Sequence, residues 1–64
     1  SMKDSENLAH FSSKLEDVII TLDWYGATLP EGATQDLVDY SLTKLKAVRG
    51  KLEAEIKTLK KFGE

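Results

Sequence analysis

The most constraining stretch of this chain runs from Thr34 to about Phe62. There Val38, Leu42, Leu45, Leu52, Ile56 and Leu59 recur on alternating four- and three-residue steps, with Arg49 in the one slot that should be apolar. That period belongs to one side of a long amphipathic helix, and a coiled-coil-like seam of this kind needs a second surface to lie against. With 64 residues, the chain has room for one thin domain. It contains no cysteine, so neither a disulfide framework nor a cysteine-held zinc can supplement a small core. Self-association is the expected remedy.

An earlier stretch supplies a first partner. Leu8, Phe11, Leu15, Val18 and Leu22 step by three and four, and Ile19 widens the stripe. Val18-Ile19-Ile20-Thr21 alone would also suit a strand, but no second candidate strand exists to pair with it. Ser5 or Asp4 can cap this first helix, Gly26 suits a left-handed terminating position, and Leu29-Pro30-Glu31-Gly32 is turn chemistry. Thr34 can cap the second helix, and Gly63 ends it. Gly50 weakens that helix without breaking its phase.

The expected fold is all-α, an antiparallel two-helix hairpin that dimerises into a four-helix bundle. Residues 1–4 read as a tag remnant (Ser1 before Met2) and an N-terminal tail, and 5–64 as one helical-hairpin domain. Within it, one helix spans 5–24, a loop 25–33 and a second helix 34–62. A short connection makes the helices antiparallel neighbours. Pairing outward from the turn sets Leu22 near Val38, Val18 near Leu42, Leu15 near Leu45, Phe11 near Arg49 and Leu8 near Leu52. The expected core is Leu8, Phe11, Leu15, Val18, Leu22, Leu42, Leu45, Leu52 and Ile56, with Leu59 buried only on association. At about 1.5 Å per residue the second helix outreaches the first by about two turns. Arg49, Leu52, Ile56, Leu59 and Phe62 are therefore the candidate oligomer interface, with a second copy as the expected partner.

Net charge is −2, but the balance is uneven. Residues 1–39 set Lys3 and Lys14 against eight carboxylates for −6, while residues 40–64 carry +4. An acidic first half lying along a basic second half accounts for this division, and a basic end offered to an acidic partner is the alternative.

Enzyme chemistry is not expected. His10 is the only histidine, and no cysteine can act as nucleophile. Asn7 stands where a di-metal bundle would need glutamate three residues before the histidine. No glycine-rich segment has phosphate-cradling spacing. Neither a metal nor a cofactor is expected. Arg49 is expected to stack on Phe11, or to pair with a carboxylate of the opposing helix while burying its stem. Ile20, Trp24 and Tyr25 are the candidate partner surface: Ile20 and Trp24 lie one turn apart, opposite the core stripe. Either they form an outward anchor for an unidentified protein, or Trp24 and Tyr25 fold back with Leu29 as a lid.

Trp24-Tyr25-Gly26, in the turn between two helices, resembles the W-x-G motif of the small secreted WXG family. That resemblance implies hairpins paired through their long sides. The chain departs from the family's export tail, because Tyr40 is followed four residues later by Lys44. In length and architecture the chain is also similar to the Rop-like RNA-binding hairpins that control plasmid copy number. Short hairpins likewise serve as co-chaperones of type III secretion. Lysines along the second helix are interrupted by acids, so nucleic acid is not the expected partner. No apolar run is long enough to span a membrane, and a cytoplasmic protein is expected. The function expected is that of a small regulatory or adaptor protein acting through protein–protein contact.

Overall fold

A computed structural model describes residues 3–64; the reading of Ser1 and Met2 as a tag remnant lies outside the described residues. Two helices, α1 (Asp4–Ala27) and α2 (Ala33–Lys61), form an antiparallel hairpin about 47 Å long. Both run close to their expected spans, but α1 continues one turn further and the connection shrinks to residues 28–32. Asp4 and Glu6 lie in the first turn of α1, where carboxylates favour the helix dipole. The β-branched run at Val18-Ile19-Ile20 stays helical because Ile19 is buried in the core, and that packing outweighs local strand preference.

Gly26 does not end α1. It is buried inside the helix, and a Cβ placed on it would stand 2.7 Å from Val38 Cγ1. The residue is small because α2 passes there at close range, not because the backbone must turn left-handed. Thr28 closes the helix instead, its N–H donating to the Tyr25 carbonyl, and Pro30 disfavours helical geometry at Leu29. Gly32 then precedes α2 with φ 157° and ψ −171°, a region that glycine alone adopts readily.

Neither expected N-cap is used. Lys3 and Gly32 occupy the cap positions without side-chain hydrogen bonds, so Ser5, Asp4 and Thr34 do not cap. Ser5 has a different role at the far end. Beyond α2, Gly63 takes a left-handed φ of 91°, its N–H donating to the Lys60 carbonyl and that of Glu64 to the Leu59 carbonyl. This turn carries Glu64 back onto the start of α1. Its Oε1 accepts from the Asp4 N–H at 3.0 Å, and its main-chain oxygen accepts from Ser5 Oγ at 2.9 Å.

That closure corrects the expected overhang. Gly26 faces Val38 and Glu16 meets Arg49, which shifts the register by about one helical turn from the expected pairing. Carried along the hairpin, this register sets Leu22 by Leu42, Ile19 by Leu45, Leu8 by Ile56 and Ser5 by Leu59. The two helices therefore end level. Leu59, expected to be buried only on association, is already half-buried in its own chain, as is Ile56. Ile19, Val38 and Leu42 form the buried core, with Leu15, Leu22, Leu29 and Leu45 packed against it. Gly50 interrupts nothing: α2 runs through it, with open space where its side chain would be.

Candidate interaction surface

The seam between the helices has a simple composition. On α1 it is Ser5, Leu8, Ser12, Leu15, Ile19, Leu22 and Gly26. On α2 it is Gln35, Val38, Leu42, Leu45, Arg49, Leu52, Ile56 and Leu59, every one buried or half-buried. Both rows alternate three- and four-residue steps, the register of knobs packing between two helices. Phe11 and Val18 do not belong to it. Expected in the core, they are 62% and 52% exposed, because Ser12 and Ile19 take the inward positions next to them.

What Phe11 and Val18 form instead is a row of their own. Phe11, Val18 and Tyr25 each stand one residue before a seam position of α1, at intervals of seven. Ser41, Val48 and Glu55 occupy the equivalent positions of α2. In an antiparallel pair such positions from both helices flank the same side of the seam. One long side of the hairpin thus displays Phe11, Val18, Tyr25 and Val48, all about half exposed or more, beside the outer edges of the seam leucines. A shallow apolar groove along α1, lined by Asp17, Val18, Thr21, Leu22 and Tyr25, lies on this side.

The opposite flank is different in kind. It carries Ala9, Glu16 and Asp23 from α1 with Asp39, Lys46, Glu53 and Lys60 from α2. A polar groove there brings Ala9 and Glu16 together with Glu53, confirming that these positions share a side. Arg49 reaches across the seam, and its Nη1 donates to Glu16 Oε2, with both side chains still partly exposed. Of the two roles expected for Arg49, pairing with a carboxylate is the one observed, and stacking on Phe11 is not. An ion pair this accessible is worth little in stability; its guanidinium chiefly lets the arginine stem lie in an otherwise apolar row.

The remaining candidates lie elsewhere. Trp24 is 72% exposed and points away from the seam, as does Ile20, so Trp24 is not a lid; Leu29 alone of that trio packs on the core. Tyr25 belongs to the Phe11–Val18 row rather than to a patch with Trp24. Among the expected oligomer residues, Arg49, Leu52, Ile56 and Leu59 serve the hairpin's own seam, and Phe62, 80% exposed, lies just past the end of α2. On the outer side of α2, Leu37 and Tyr40 are exposed, with the Lys44 ammonium 5.4 Å from the Tyr40 ring.

Folding also re-sorts the charge. The turn end, residues 21–43 in the hairpin's register, holds Asp23, Glu31, Asp36 and Asp39 and no lysine or arginine. All nine cations of the chain stand in the remainder, against seven carboxylates, Glu16 and Asp17 among them. The expected division between first and second halves of the sequence becomes, in space, an acidic turn end of −4 and a remainder of mixed sign, +2.

His10 is solvent-exposed beside Phe11, and among the described residues no group of three or more histidine, aspartate or glutamate side chains is placed to hold a metal ion. No helix is long and apolar enough to cross a membrane among those residues. No known family model, curated protein or solved structure matches the chain.

Proposed function

We propose that this hairpin is a non-enzymatic association module whose apolar flank is covered by a second copy, closing a four-helix bundle that serves as a regulatory or adaptor protein. The observation that supports it is the row Phe11, Val18 and Tyr25, continued across the seam by Val48, on one side of a chain whose other flank is charged. A contiguous apolar surface on so small a domain is the usual mark of a protein contact. Burying it would also enclose the outer edges of Leu15, Leu22, Leu45 and Leu52, which the two helices alone leave half-covered. The test is Val18→Asp. A carboxylate in the middle of the covered flank should weaken self-association by about 100-fold or more while leaving the helices formed. Light scattering that finds the variant and the parent equally dimeric would remove the proposal.

A second contact is favoured by Trp24 and Ile20, which face away from both the seam and the apolar flank. They suit an anchor for a different protein, with the bundle as scaffold. Trp24→Ala should then leave molar mass and melting unchanged, whereas a melting point lowered as by a core truncation would count against the anchor.

A further inference from the structure

We propose that the two copies pack antiparallel, the turn end of one over the open end of the other, about a two-fold axis that crosses the helices level with Val18. This rests on the reading above, that a second copy covers the apolar flank. Two independent features of the hairpin select this order over the alternative in which both turns lie at the same end.

The first is the charge of the ends. The turn end, residues 21–43, carries −4 and no cation. Helices packed about 8–10 Å apart stand roughly one Debye length from each other at physiological salt, so charges facing across the contact are only partly screened. Same-end packing would stack two acidic turns on each other, and the antiparallel order sets each against residues 4–15 and 49–60 of the second copy, where five cations stand among four carboxylates.

The second is the spacing of the row. Phe11 and Tyr25 stand at equal distances either side of Val18. A reversed copy of α1 therefore lays Phe11 on the partner's Tyr25 and Val18 on its own equivalent, the self-complementary match that a two-fold contact requires. On α2 the same operation brings Ser41 level with Lys51 of the second copy, polar against polar, with Val48 close to the axis. Same-end packing would instead lay α1 on the α2 of the second copy, bringing the Phe11 and Tyr25 rings to the levels of Glu55 and Ser41.

A distance between the two turns decides it. The chain has no cysteine, so Glu31→Cys in the exposed turn takes a single spin label per copy. Pulsed electron resonance on the dimer should give about 40 Å between labels, the axial separation that some 25 residues of helix impose. A dimer with labels closer than about 25 Å would overturn the antiparallel order while leaving the covered flank in place. A monomeric mass for both the parent and the labelled chain would overturn the reading beneath it, and this inference with it.

Discussion

The turn half and the open half of this hairpin are built on different terms. Around the turn the seam is Ile19, Leu22, Gly26, Val38 and Leu42, and every buried apolar side chain of the described residues lies there. Toward the opening the seam contains Ser12 and Arg49, its apolar members Leu8, Leu52, Ile56 and Leu59 are only half-buried, and the one deeply buried side chain is Ser5. The turn half is held by close packing around a glycine. The open half is held by a polar clasp, Glu64 bridging Asp4 and Ser5, with an ion pair midway. Two helices of nearly equal length can thus share one register and still differ in cohesion from end to end, because burial depends on how small the facing residues are.

Three sets of substitutions, all measured at one protein concentration because the proposed association would contribute to stability, would sharpen or break this contrast. Ile19→Ala, at a site only 3% exposed, should cost about 2–4 kcal/mol in urea unfolding. Leu8→Ala or Ile56→Ala at the open end should cost about half that or less, since a half-buried side chain has less transfer free energy to lose. Equal costs at the two ends would remove the distinction. The two helical glycines should respond with opposite signs. Gly26→Ala drives a methyl group into Val38, whose branched side chain has little rotational freedom, and should destabilise by about 1–3 kcal/mol. Gly50→Ala meets open space and should stabilise by about 1 kcal/mol. The smallest effect belongs to the clasp: Ser5→Ala should cost about 1 kcal/mol, as one hydrogen bond lost. Hydrogen exchange would locate that loss at the start of α1, leaving amides near Ile19 protected. Protection lost evenly along both helices would show that the hairpin opens as one unit instead.

Much of the architecture could be read before any coordinates. The three-and-four spacing of Val38, Leu42, Leu45, Leu52, Ile56 and Leu59 identifies α2 and its inward side without ambiguity, since no other arrangement of that stretch buries those six together. On α1 the same reasoning found the helix and misplaced its face. Two apolar rows run along it, Leu8–Leu15–Leu22 with Ile19, and Phe11–Val18–Tyr25. Periodicity alone merges them into one broad stripe, because the true inward partners of the first row include Ser5, Ser12 and Gly26, residues with no apolar signature. Gly26 caused the second error. A glycine after a helical run serves equally as a terminator or as a site of close approach, and only the position of Val38 distinguishes them. Ending α1 early moved the register by a turn, and from that shift came the apparent overhang of Ile56, Leu59 and Phe62. The seven-residue spacing of Phe11, Val18 and Tyr25 was visible throughout, and so was the absence of cations between Lys14 and Lys44. Neither acquires meaning until the antiparallel register assigns each residue a side and an end.

The most direct measurement is the molar mass of the purified chain by light scattering across a dilution series from the millimolar to the low micromolar range, beside Val18→Asp. The account predicts twice the 7.1 kDa of one chain for the parent over most of that range, and the mass of a single helical hairpin for the variant. A parent that scatters as one 7.1 kDa chain at every concentration, folded and with Phe11, Val18, Tyr25 and Val48 facing water, would contradict it.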